Sequence, residues 1–590
     1  MMRIIFFTIA LALGLGARGQ QGQGGATGFR AVSQGSRVLS QSPQVLPQGF
    51  FLDAFRPKTA PMPAVFAFDS LAEREKALRA SGAPPPQDVF DSAPPPQVDI
   101  AVYPSDTIAR VSPWLFGNNA NQWMGPMVNQ PVLLDHIRTL HPGIIRYPGG
   151  NGSNTFFWNA TPGQLPADVP DTLLYGLGVR ARKERYFLGR APWGLSVDNY
   201  YKMLTETDSK GIICVNMGYA RYGTGPDPVA TAAHLAADWV RYDHGRTRFW
   251  ELGNEDNGRW QAGYLVDSAH LPGSRPAVIS GDLYGRQARV FIDSMRAAAR
   301  ETGADIKIGV VLIELPPGPY TFPVDKVWNE GVLRQAGNAC DFFIVHSYYT
   351  PYFQNSKAAA ILATGRSVTD QMADYMLRMG NKPVALTEYN IFAQGSRQQT
   401  SFIAGMHAAL VIGELATRGF GEATRWDLAN AYDHGNDHGL FNKGDEPGAP
   451  LWNPRPAYYY LYYFQKCFGD HVVRSTSSDS AVVVFASSFS GGGAGRGLGL
   501  VLVNTSTTPR RLTIPYGRGY GYYGYYYSLT GGDDNGEFSP RVFVNGQGPA
   551  GASGGPADIT HVPARRLNYW PSSRFVLEAP PRSVQFVVLY

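Results

Sequence analysis

Cysteine is scarce in this chain. Three thiols, Cys214, Cys340 and Cys467, among 590 residues cannot make a disulfide framework, so the fold has to rest on a hydrophobic core. Cys214 and Cys340 fall in or beside apolar runs and read as buried free thiols, with a single bridge left open. Charge is scarce too. Charged residues are 17% of the chain, against about 25% in ordinary globular domains. Net charge is only +5 and no basic block occurs, which removes the electrostatic footprint of a nucleic-acid binder. Past the N-terminus no apolar run makes a convincing membrane span. Aromatic residues, in contrast, reach 13%. Many rings with few charges suit an uncharged partner such as a carbohydrate, whose C–H faces stack on aromatic rings.

The first 19 residues read as a signal peptide: Arg3 supplies the charge, Ile4 to Gly16 the apolar stretch, and Ala17-Arg18-Gly19 a small-residue cleavage site. A secreted chain, extracellular or periplasmic, is expected, with a retained anchor as the alternative. Residues 20–97 are rich in Pro, Gly and Gln, with Pro-Pro-Pro at 84–86 and 94–96. They read as a linker or N-terminal arm, with a short helix at Leu71–Arg79.

From Val98 the pattern changes. Apolar strand-like runs end near Asn118, Tyr147, Asn216, Glu255, Ile313, Tyr348, Glu388 and Asp427. Helical patterns lie between several of them, including Pro131–Leu140, Pro228–Tyr242, Leu283–Thr302, Thr369–Met379 and Thr400–Thr417. Eight strand-then-helix units predict an α/β fold, a (β/α)8 TIM barrel over residues 98–455. Residues 98–110 can pair instead with the C-terminal domain. Tyr458–Phe464 fits a closing helix. Residues 456–590 then carry short alternating runs at Ala481–Ala486, Gly499–Asn504, Arg511–Ile514, Arg541–Val544 and Ser583–Leu589, which predict a C-terminal antiparallel β-sandwich. The Gly/Tyr-rich run Tyr516–Tyr527 reads as aromatic edge strands or a carbohydrate-binding surface.

Two segments carry chemistry: Trp250-Glu-Leu-Gly-Asn-Glu255 and Ala385-Leu-Thr-Glu388-Tyr-Asn390. Each puts a glutamate at the end of a buried strand, where a carboxylate is costly unless paired or employed. In a barrel of this type the strand C-termini line the active site. Two carboxylates there are what glycoside hydrolysis needs. Glu251, four residues before Glu255, competes but lies deeper. Asn254, beside the acid, is placed to hold a substrate hydroxyl. Arg146 stands in an otherwise apolar run. His346 and Tyr348 alternate onto one face. Trp426 ends the eighth strand and is a candidate stacking platform. For Asp433-His434 and Asp437-His438, a metal site, a substrate contact and a plain polar loop all stay open.

These segments resemble the retaining glycoside hydrolases of clan A, most closely the family 51 α-L-arabinofuranosidases. The matching pieces are Trp114-Leu-Phe-Gly-Asn118, Ile145-Arg-Tyr-Pro-Gly-Gly-Asn151, Cys214-Val-Asn216, Trp250-Glu-Leu-Gly-Asn-Glu255 with Trp260-Gln261, His346-Ser-Tyr-Tyr349 and Thr387-Glu-Tyr-Asn390. They occur in the family's order. The resemblance implies that Glu255 is the acid/base and Glu388 the nucleophile, and that Arg146 hydrogen-bonds the nucleophile. Substrate-binding candidates are Asn118, Arg146, Asn254, His346, Tyr348, Trp426, His434 and Asp437. No cofactor or metal is required. The mechanism needs Glu255 raised in pKa and Glu388 lowered. The loop Asn118-Asn-Ala-Asn121, the Thr-Glu-Tyr-Asn form of the nucleophile motif and the segment Asp433–His438 depart from the family. That keeps a xylosidase, an endo-glucanase and an agarase-like enzyme as alternatives, and more remotely a non-catalytic carbohydrate-binding protein.

Overall fold

The computed structural model describes residues 43–67, 95–176, 186–268, 271, 275–319, 321–432, 437–492, 497–515, 523–533 and 536–590 without 571–573. The proposed signal peptide, the helix at Leu71–Arg79, the triple-proline run at 84–86, His434 and the first part of the tyrosine run lie outside the described residues.

Eight parallel strands close into a barrel, in chain order around the ring: Gly117–Asn119, Ile144–Tyr147, Lys210–Val215, Phe249–Leu252, Lys307–Val311, Phe342–Tyr348, Val384–Asn390 and Glu422–Arg425. Runs such as Phe342-Phe-Ile-Val345 are buried on both faces, as parallel strands covered by helices require. Several of the helices between them begin on side-chain caps: Ser196, Asp227, Ser280 and Ser401 each accept from a backbone N–H three residues on. The helix expected to start at Thr369 starts at Ala358. Gly365 and Ser367-Val-Thr369 look like a break in the sequence. In the structure Gly365 lies against Leu410 of the next helix, where a Cβ would come within 2.9 Å. The hydroxyls of Ser367 and Thr369 bond back to the carbonyls of Ala363 and Gly365, so their competition with the backbone is settled inside the helix.

The amino end of the barrel is sealed with hydrocarbon. The turn Gly49–Leu52 drives Phe51, fully buried, under the barrel. It packs on Phe249 and Phe342, ring centres 5.0 and 5.5 Å away, among Trp114, Ile144, Ile212, Ile344 and Ala385. The same arm ties the barrel to the sandwich. The Leu46 amide donates to the Arg418 carbonyl and the Lys58 amide to Asp470. Ala67 donates to the Ala564 carbonyl, and Ala564 to that of Val65. The Lys58 ammonium is buried against the Gln465 and Phe468 carbonyls; burial pulls its pKa down to about 8.

Strand Gln97–Arg110 precedes the barrel in sequence yet belongs to the sandwich. Its start pairs parallel with Arg510–Pro515 and its remainder antiparallel with His471–Ser477, so it joins the two sheets. The larger sheet continues through Val482–Ser488, Leu498–Asn504, Ser583–Leu589, Gly524–Gly531 and Val542–Val544. One of its faces meets the smaller sheet over Ile100, Leu500, Leu512, Phe575 and Val587. Its other face packs on the helices Phe402–Arg418 and Pro456–Cys467; Tyr463 lies 4.5 Å from Tyr527, and a Cβ at Gly413 would strike the Phe485 ring at 2.4 Å. Gly499–Asn504, expected to alternate, lies in a strand, Leu498–Asn504, that is buried on both faces, which is why its sequence is a nearly continuous apolar run. Gly524–Gly531 corrects the edge-strand reading: it lies between Ser583–Leu589 on one side and Val542–Val544 with Arg565–Arg566 on the other, and Tyr525 and Tyr527 are core residues. All three cysteines are buried and free. No helix among the described residues is long and apolar enough to cross a membrane.

Candidate active site

The carboxyl end of the barrel is built around Arg146. Its guanidinium is fully buried and donates to four side chains: Nε to Glu251 (2.7 Å), Nη1 to Glu388 (2.9 Å) and Asn119 (3.0 Å), and Nη2 to Asn254 (2.9 Å). Burial works against its charge, but Glu251 and Glu388 outweigh burial and hold its pKa above the usual arginine range. A buried cation with this many acceptors is fixed in place.

Glu388 reaches the interior through a β-bulge. Pairing with the sixth strand runs Leu386 to Val345 and then Glu388 to His346, which leaves Thr387 unmatched. The extra residue turns Glu388 inward and aims the Thr387 carbonyl at Asn119 and Thr424. Tyr348 donates to Glu388 Oε2 at 3.0 Å.

Glu255 lies three residues past its strand, on a turn made possible by Gly253 at φ 79°; a Cβ there would lie 2.1 Å from Asp256. Its own backbone is in the left-handed region, φ 48°. The carboxylate accepts from Trp260 Nε1 (2.6 Å) and Gln261 Nε2 (3.2 Å) and faces His346 Nδ1 at 3.0 Å. His346 Nε2 meets Thr387 Oγ1 at 3.1 Å, and its Nδ1 lies 3.8 Å from Glu388. One oxygen of Glu255, one of Glu388 and a nitrogen of His346 all lie within 4.8 Å of one another.

The proton affinities run against the expectation for these roles. Burial pushes Glu255 up, but the His346 hydrogen bond and charge, with Trp260 and Gln261, outweigh it and hold the carboxyl below the usual range. Burial raises Glu388 above that range despite His346 and Arg146. Burial lowers His346, but the two carboxylates raise it further. The physical reason is that three groups share protons and the imidazole sits nearer Glu255 than Glu388. A third carboxyl, Glu314 after the fifth strand, is pushed to about 7 by burial and interacts with both His346 and Glu255.

Of the residues named from sequence, Arg146, Asn254, Glu255, His346, Tyr348 and Glu388 converge here. Asn118 does not. It points outward toward Tyr389 and Leu461, and its neighbour Asn119 faces the interior. Strand alternation separates the two, and only the register tells which is which. Trp426 is mostly covered, with its ring against Gly149, Gly150 and Trp123. Asp437 is buried and held by Ser396 and Gln399. The His438 ring donates through Nε2 to the Ile391 carbonyl, and burial drops its pKa to about 3. Both are buried and anchor their loop inside the protein. Not named as site residues from sequence were Asn119, Thr387, Trp260 and Gln261; for Asn119 and Thr387 the available signal was a hydrophilic residue one place from a strand-end candidate, and for Trp260 and Gln261 it was their place in the matching segment.

No family profile matches the chain. Among curated proteins it is similar to an intracellular exo-α-(1→5)-L-arabinofuranosidase of Bifidobacterium longum, 20% identical over 273 residues, 44% of this chain and 41% of that one. A Streptomyces lividans protein of the same name is 24% identical, over 42% of this chain and 36% of its own. The chain thus spans about two fifths of these relatives' lengths. Among solved structures, an α-L-arabinofuranosidase of Thermotoga maritima in complex with arabinose has the same fold, with a TM-score of 0.57 and 17% identity, covering 84% of this chain and all of that one. The expectation of secretion is corrected: the two curated relatives are named intracellular, which points against a secreted protein.

Proposed function

We propose that this chain is a retaining glycoside hydrolase acting on α-L-arabinofuranosyl substrates. The observation that carries the reading is the approach of Glu255 and Glu388 oxygens to within 4.8 Å. Retaining enzymes hold their carboxyls about 5–5.5 Å apart, whereas inverting enzymes need about 6.5–9.5 Å to admit a water. Glu388 attacks the anomeric carbon while Glu255 gives its proton to the departing glycosidic oxygen. Glu255 then takes a proton from water, and that water releases the sugar from Glu388. Arg146 and Tyr348 fix the nucleophile's two oxygens. Asn254, held through its Oδ1, keeps a buried Nδ2 with no protein partner; we assign it to a sugar hydroxyl. The sugar identity follows the names of the curated relatives. The departures at Asn118–Asn121 and Asp433–His438 favour, as a second reading, another clan A glycosidase with the same two glutamates.

The test is chemical rescue. Glu388→Ala loses turnover. Glu255→Ala loses roughly 10²–10⁴-fold on 4-nitrophenyl α-L-arabinofuranoside and regains it with azide, yielding a glycosyl azide of retained configuration. Near-normal rates for Glu388→Ala, with azide rescuing neither variant, would sink the assignment. A panel of other aryl glycosides decides between the two sugar readings.

A further inference from the structure

Two loops at the carboxyl end of the barrel are clipped to one another. Thr350, after the sixth strand, donates through Oγ1 to the Phe392 carbonyl (2.7 Å) and accepts from the Phe392 amide (2.9 Å). Gln398 holds the amide and carbonyl of Ser356 (3.0 and 2.7 Å), and the Gln394 amide donates to Asn355 (3.1 Å). On this frame stands a file of rings. Tyr348, whose hydroxyl is on Glu388, stacks on Phe392 with centres 4.2 Å apart and planes at 19°. Phe392 meets Tyr352 edge-on at 4.5 Å, and Tyr352 meets Phe353 at 3.9 Å. His438 backs the inner part of the file, 5.5 Å from both Tyr348 and Phe392.

Exposure rises outward along the file. Tyr348 and Phe392 are half-buried, whereas Tyr352 is 59% and Phe353 52% exposed. Phe353 is held at φ 53°, a left-handed conformation that costs a bulky residue energy and marks functional segments. Packing explains Phe392. It does not explain two neighbouring rings kept in water on a pinned loop. Ser347–Ser356 carries no charged residue, and the amides of Gln354 and Asn355 flank the rings. Apolar faces, side-chain amides and no charge are the chemistry that recognises a sugar rather than an ionic partner. The pinned loop lets a ligand bind without first ordering it.

We propose that Tyr352 and Phe353 form a further sugar-binding subsite, continuous with the cleavage site through Phe392 and Tyr348, that takes neighbouring units of the same arabinofuranosyl chain. It rests on the glycosidase reading above. The experiment compares kcat/KM on α-1,5-linked arabinopentaose with kcat/KM on 4-nitrophenyl α-L-arabinofuranoside. In Tyr352→Ala and Phe353→Ala the ratio of the two falls roughly three- to tenfold per ring, while Tyr352→Trp restores it. An unchanged ratio overturns the subsite, including the case where both substrates lose equally. If the wild-type protein turns over neither substrate, the parent reading fails on its own. Calorimetric titration with arabinopentaose then judges the subsite: weaker binding by the double Ala variant supports it, and equal binding, or none by either protein, overturns it.

Discussion

The two ends of one barrel obey opposite rules. At the amino end Ile144, Ile212, Phe249 and Phe342 close over Phe51. Two residues further along the same inward faces, Ile144 gives way to Arg146 and Phe249 to Glu251; on the sixth strand Phe342 and Ile344 give way to His346 and Tyr348. The first set excludes water and is indifferent to direction. The second is held by directional bonds, each group depending on its neighbour. One end should therefore tolerate damage by losing stability alone, and the other should lose function and stability together.

The most severe break is Arg146→Ala. It strands Glu251 and Glu388 in the interior without their cation. Removing one partner of a buried ion pair costs about 3–5 kcal/mol, and Glu388 loses the bond to its Oε1. Urea unfolding and kcat/KM are expected to collapse together. A variant that kept normal stability would show that the buried charges are compensated elsewhere.

At the opposite end Phe51→Ala opens a cavity among Phe249, Phe342 and Trp114. The expected cost is about 3–5 kcal/mol, with kcat/KM at a temperature where the variant stays folded within about twofold of the parent, because no site residue touches the ring. A fall in kcat/KM comparable to that of Arg146→Ala would erase the distinction between the two ends.

These ends were unequally legible. The strand order, the two glutamates, Arg146, His346 and Tyr348 could be read because a charge ending an apolar run is a local signal. Phe51 could not, since its partners are spread from Trp114 to Ala385 and its own segment looks like linker. Alternation alone does not tell Asn118 from Asn119; the pairing with Ile145 and Arg146 does. The bulge at Thr387 leaves no mark in sequence, yet it is what turns Glu388 inward. Asp437 and His438 looked functional by composition; their partners Ser396, Gln399 and Ile391 lie forty or so positions away. The order of proton affinities depends on His346 being nearer one carboxylate than the other, which is a matter of ångströms.

A gentler change sharpens the picture at the carboxyl end. Burial raises Glu388, and the Tyr348 hydroxyl is among the groups that pull it down again. Tyr348→Phe removes that pull, so the Glu388 pKa rises and the acid limb of kcat/KM against pH moves to higher pH. Rates above the limb fall by roughly ten- to hundredfold, the worth of one hydrogen bond to a charged group. A limb that stayed in place or moved to lower pH would mean that another group titrates there.

The smallest effect tests a buried carboxyl at the amino end. Glu422 opens the eighth strand among apolar neighbours, fully buried, and neither carboxyl oxygen has a hydrogen-bond partner. Burial, reinforced by the charge of Glu251, raises its pKa well above 4.5, and Arg146 offsets this only in part. A carboxyl held neutral in the folded protein ionises on unfolding once pH passes its ordinary value. Its contribution to stability is thus complete below about 4.5 and is lost as pH climbs toward the folded value. Glu422→Gln keeps the shape and removes the titration. Unfolding free energies measured in urea at pH 5 and pH 8 should therefore fall less between the two conditions for the variant than for the parent, with the variant the more stable at pH 8. Parallel slopes would show that Glu422 is ionised in the folded barrel, sharing the Arg146 charge with Glu251 and Glu388, and that the amino end is less indifferent to charge than its hydrocarbon lining implies.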